Sequence, residues 1–92
     1  MNKSELISSI SFVTDMPRDA AGRALDAALD IIVESVKNGD PVFLPKFGTF
    51  TRKYYNERRC RNPVTGENMV VAAHYRPYFK PGRRLKDAAG EK

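Results

Sequence analysis

The chain has 92 residues and a net charge of +5, with 16 lysines and arginines against 11 acidic residues; at a pI near 9.6 it reads as one small basic domain. A single cysteine excludes an intrachain disulfide framework and cysteine-rich zinc sites, the start Met1-Asn2-Lys3-Ser4 has no apolar export segment, and no run approaches the roughly 18 apolar residues of a membrane span. The charge is also divided: seven acidic against four basic residues through Asp40 give −3, whereas twelve basic against four acidic from Pro41 onward give +8, the footprint of a polyanion binder.

In the first 13 residues Leu6, Ile7, Ile10 and Val13 recur at spacings of three and four, which predicts a short amphipathic helix with Asn2 as its cap and Glu5 reaching back. Thr14 to Met16 break the pattern, and Pro17 is tolerated in the first turn of the next element. A second, longer helix is predicted from the broad apolar face of Ala21, Leu25, Ala28, Ile32 and Val36, with Asn38-Gly39 as its stop. Asp26, Asp30 and Glu34 read as its solvated face, and Gly22 inside it would be explained by a close helix crossing.

From Pro41 the period shortens. Val42 and Leu44 alternate with Phe43 and Pro45, and Phe47-Gly48-Thr49-Phe50 reads as a tight turn between aromatic residues. Residues 51–60 and 67–76 read as the two strands of a long hairpin, joined by Arg61 to Gly66, where Asn62, Pro63 and Gly66 are turn formers. Pro81-Gly82 opens a last short helix from Arg83 to about Ala89, with Leu85 and Ala88 facing inward. The expected domain therefore spans 1–92: helices to about residue 40, a sheet over about 41–80 with an arm at 54–74, and a helix over about 82–89. Once the arm is set aside, about 70 residues are too few to cover these aliphatic faces and the rings of Phe47, Phe50 and Phe79. An intertwined dimer, with those three rings in its core, solves the burial problem and presents two arms.

Met1-Asn2-Lys3, Gly39-Asp40, Phe47-Gly48-Thr49-Phe50, Arg58, Arg61-Asn62-Pro63, Thr65-Gly66, Ala72-Ala73, Pro77, Phe79, Gly82 and Leu85-Lys86-Asp87 together make the chain resemble the bacterial HU and integration host factor family of DNA-bending proteins, from Met1 to about Ala89. The resemblance implies an α+β fold: two N-terminal helices, a three-stranded antiparallel sheet extended into a β-ribbon arm, and a short C-terminal helix. It further implies an intertwined homodimer, or a heterodimer with a paralogous chain, whose arms lie in the minor groove of double-stranded DNA with a proline wedged between base pairs. Lys46 and Cys60 stand where the family commonly has glycine or a small residue, and Tyr55 where it has a basic or small one.

The residue chemistry agrees with that expectation. Arg58, Arg59 and Arg61 supply permanently charged planar donors suited to a narrow, electronegative groove, Pro63 is a rigid apolar wedge, and Asn62 beside it is a further candidate DNA contact. Arg52, Lys53 and Arg76 flank the hairpin, while Lys3, Lys46, Lys80, Arg83, Arg84 and Lys86 are the candidate phosphate contacts of the body. Gly82 reads as a cap that lets a phosphate approach bare backbone. One histidine and one cysteine, with no phosphate-cradling glycine loop, give no catalytic inventory, so no enzyme, cofactor, metal or small-molecule substrate is expected. The expected setting is the cytoplasm and its nucleoid. General binding is expected rather than the site-specific bending of integration host factor, with a basic RNA binder as the rival class.

Overall fold

A computed structural model describes residues 1–90; the last two positions of the expected 1–92 domain lie outside the described residues. These fall into two compact units, Met1–Glu34 and the residues from Ser35 onward.

In the first unit, helix α1 runs over Lys3–Thr14 and helix α2 starts at Arg18. Asn2 caps α1, its side-chain oxygen accepting from the Glu5 N–H at 2.9 Å. The C-cap Asp15 turns into the left-handed region at φ 59°, which ends the helix. Pro17 lies just ahead of α2 rather than inside its first turn, and its carbonyl accepts from the Ala21 N–H at 3.0 Å. Arg18 ties the two helices, donating to the Ser4 carbonyl at 3.1 Å and to its hydroxyl at 2.7 Å. Ile7 faces Gly22, as a close crossing requires, but a Cβ at Gly22 would meet it at an ordinary 3.6 Å. Helix α2 ends at Lys37. There Gly39, at φ 78°, donates to the Val36 carbonyl and Asp40 to that of Ser35, the paired bonds of a glycine C-terminal stop.

In the second unit, strands β1 (Val42–Leu44), β2 (Gly48–Tyr55) and β5 (His74–Pro81) form an antiparallel sheet in the order β1-β2-β5. Between β2 and β5, strands β3 (Arg58–Arg61) and β4 (Asn68–Val71) form a separate two-stranded ladder, and helix α3 (Arg83–Ala89) closes the chain. The expected α+β architecture is present, with two local corrections. The first tight turn is Leu44–Phe47, closed by the Phe47 N–H on the Leu44 carbonyl at 3.0 Å, whereas Gly48-Thr49-Phe50 already belongs to β2. Proline pre-sets the first central position of that turn, and Lys46 holds the positive φ, 67°, at the second. The hairpin, expected as two unbroken segments, is interrupted at residues 56–57 and 72–73, although both ladders keep one register: Tyr55 opposes His74 and Arg58 opposes Val71.

Strand alternation gives the body sheet two unlike faces. Phe50 and Phe79, directly opposed, pack with ring centroids 4.7 Å apart and planes tilted by 43°, and Phe47 joins Phe79 at 5.9 Å. A Cβ at Gly48 would run into the Phe79 ring, so this cluster requires glycine there. Even so, Ala21 is the one buried apolar residue among those described, and Phe47 stays 45% exposed. Phe12 at 86%, Val33 at 66% and Ile31 at 64% are further out.

Candidate nucleic-acid interface

The second sheet face carries, row by row, Phe43-Thr49-Lys80, Thr51-Tyr78, Lys53-Arg76 and Tyr55-His74. Lys53 and Arg76 are thus directly opposed, an arrangement of like charges that destabilises a sheet. Two tyrosines offset it. The Lys53 ammonium lies 3.7 Å from the centre of the Tyr78 ring, and the Arg76 guanidinium 5.6 Å from that of Tyr55. Tyr55 in turn stacks on His74 at 5.7 Å, and His74 Nδ1 is 2.8 Å from the Ala72 carbonyl. The face therefore holds three cations and no carboxylate, and two of them, Lys53 and Arg76, are seated on rings rather than in ion pairs, so the positive field stays available to a polyanion.

Arg52, expected beside Lys53 in one group of contacts, lies on the other face, its guanidinium 3.8 Å over the Tyr75 ring. The arginines of the arm also divide. In β3, Arg59 and Arg61 oppose Val70 and Asn68 on one face, whereas Arg58 and Cys60 oppose Val71 and Met69 on the other. The arm therefore carries arginine on both of its faces.

The tip is built by Asn62. Its side-chain oxygen accepts from the N–H of Val64 at 2.8 Å and of Thr65 at 3.4 Å, its carbonyl accepts from Gly66 at 2.8 Å, and its N–H donates to Glu67 at 2.7 Å. These bonds require Gly66 at φ 75°, a position that glycine fills without strain. Pro63 is held at the apex of this clasp, exposed, beside Val64 at 90% exposure. The Asn62 oxygen thus shapes the tip.

Lys46, Lys80, Arg83 and Arg84 gather where the Leu44–Phe47 turn meets the start of α3, with Arg83 loosely paired to Asp87 at 3.8 Å. Gly82 caps α3, is half-exposed and lines the same hollow as Lys46, Lys80 and Arg83. Its N–H donates to the Phe47 carbonyl at 2.7 Å, and a Cβ there would meet the Lys46 carbonyl at 2.5 Å. Leu85 and Ala88 line a hollow with Pro45 and Phe47. In the first unit, Lys3 is engaged by Asp26 at 2.6 Å, both side chains exposed, and that hydrogen bond raises the ammonium pKa. Tyr78 is absent from the sequence-based site, because only the strand register shows that it lies beneath Lys53. Among the described residues no group of three His, Cys, Asp or Glu side chains could hold a metal ion, and no helix is long and apolar enough to cross a membrane.

The basic sheet face, the exposed arm and the cationic corner define a class of nucleic-acid-binding ribbon protein, and comparison with known proteins identifies the family. The profile described as bacterial DNA-binding protein matches residues 1–90. The DNA-binding protein HU of Xylella fastidiosa is 48% identical over 88 residues, covering 96% of this chain and 94% of the relative. HU-beta of Escherichia coli is 49% identical over 88 residues, covering 96% and 98%. A cocrystal structure of Anabaena HU with DNA superposes with a TM-score of 0.91 at 34% identity, covering 100% of both chains. The chain belongs to the bacterial DNA-binding protein family, HU among its members.

Proposed function

We propose that the chain is an architectural protein that bends duplex DNA as a dimer, each arm lying in the minor groove with Pro63 wedged between base pairs. The observation that carries this reading is the tip: four hydrogen bonds of Asn62 present an exposed proline at the apex of an arginine-bearing ribbon. A proline ring is rigid and apolar and lacks an N–H, which suits insertion between stacked bases at a few kcal/mol of unstacking per step. That cost is offset by phosphate contacts. Arg58, Arg59 and Arg61 supply them along the arm, Lys53 and Arg76 at its base, and Lys46, Lys80, Arg83, Arg84 and Lys86 on the body. Lys3 contributes once Asp26 releases it, and Arg52 serves from the opposite sheet face.

Burial supports the dimer, because one buried apolar side chain cannot hold a fold of this size, and a second copy is the simplest cover for Phe47, Phe50 and Phe79. A paralogous chain could take the same place. The whole chain acts as one module, in the nucleoid, without catalysis. Minor-groove edges carry a degenerate code, so binding is mainly general, with deformability setting the preference among sequences.

If about ten phosphates are neutralised, log affinity for duplex DNA falls against log salt with a slope near −9, at about −0.9 per contact. Arg61→Ala lowers that slope by up to about 1 for each arm that loses a contact. Titrations over a salt series, with structured RNA as competitor, test both statements. A flat salt response, or RNA displacing duplex at equal concentration, would refute the proposal.

A further inference from the structure

The row Phe43-Thr49-Lys80 crosses all three strands of the body sheet on its basic face. Phe43 is 69% exposed there, a large apolar ring left in water beside a lysine. Around it the Leu44–Phe47 turn and the start of α3 enclose a concavity of about 320 Å³, whose lining includes Phe43, Lys46, Thr49, Lys80 and Arg83. Its shape is set by backbone: Gly82 fits only because it has no Cβ to strike the Lys46 carbonyl. No carboxylate lines it.

Three cations lining one hollow with an exposed apolar ring suit the alternation of phosphate and deoxyribose along a nucleic-acid strand. A second copy of this chain is a poor occupant, because it would bring the same cations against this face, of which only Arg83 has a loose acidic partner, Asp87, whereas the ring cluster suited to a second copy, Phe50 and Phe79, lies on the other face. We propose that this concavity is a nucleotide subsite for the DNA that runs past the body: Lys46, Lys80 and Arg83 hold successive phosphates, and the Phe43 ring packs on the deoxyribose between them. This rests on the DNA-bending reading and adds a contact that carries no charge, placed away from the Pro63 wedge. Phe43 then fixes where the flanking duplex sits on the body, and ring loss weakens binding without releasing fewer counterions.

The test compares the parent, Phe43→Ala, Phe43→Tyr and Lys80→Gln on two duplexes, a short one that reaches only the arm tips and a longer one whose ends pass over the body. On the long duplex Phe43→Ala loses about tenfold in affinity, or 1.4 kcal/mol, with the salt slope unchanged. Phe43→Tyr stays near the parent, and Lys80→Gln lowers the slope. On the short duplex all four bind alike. Equal affinity of Phe43→Ala and the parent on the long duplex overturns the subsite, and so does an equal loss on both duplexes, which would mean that the ring acts through the fold. A parent that binds neither duplex refutes the DNA-bending reading itself.

Discussion

At Lys46 the proposed contact with DNA is set against local stability. A lysine at φ 67° occupies a region that costs an L-residue roughly 1–2 kcal/mol, and the turn geometry asks for glycine there. The same position puts an ammonium at the corner shared with Lys80 and Arg83. We expect Lys46→Gly to stabilise the fold by about 1 kcal/mol and to weaken DNA binding with a shallower salt slope. Denaturant unfolding paired with a salt titration checks it; a destabilised variant would mean that the lysine is held by contacts that outweigh the strain. The family resemblance already placed an unusual lysine at this position. Its strain became visible only with the backbone, because composition does not show which of Pro45, Lys46, Phe47 and Gly48 turns the chain.

The sheet's basic face is an arrangement of whole strands. Lys53 opposite Arg76 is tolerated because Tyr78 and Tyr55 receive the two cations, each contact being worth about 0.5–1 kcal/mol at an exposed site. Tyr78→Leu should therefore lower the unfolding midpoint in low salt. Tyr78→Phe should not, and added duplex should narrow the gap, since phosphates neutralise the opposed charges. Thermal unfolding with and without DNA reads this; identical behaviour of the leucine and phenylalanine variants would remove the ring from the account. The helices, the hairpin and the tip residues were legible in the sequence because caps, periodicity and turn formers act over a few positions, as at Asn2, Gly39 and Asn62. The break at residues 56–57 and 72–73 was not, and neither was the division of Arg58 from Arg59 and Arg61, because both depend on cross-strand pairing between residues distant in the chain.

For the molecule as a whole, the exposed apolar side chains and the uneven charge have to be accounted for together. The acidic first 40 residues are rich in aliphatic faces, whereas the basic remainder carries the arm. The proposed dimer, held through the apolar surfaces, would gather its cations without gathering equal repulsion in its core. Mass action then couples folding to association, so the unfolding midpoint should rise with protein concentration. Sedimentation that finds a folded monomer at micromolar concentration would remove the dimer from the proposal.

Bending is where the proposed wedge, ribbon and dimer meet, and energy transfer across an end-labelled duplex measures it directly. With the parent protein, transfer should rise on binding and saturate at two chains per duplex. Pro63→Ala should reduce that rise while the salt slope stays the same, because a wedge acts locally and counterion release is spread along the backbone. A Pro63→Ala protein that bends the duplex as sharply as the parent, or a parent that binds without any rise in transfer, would contradict the account.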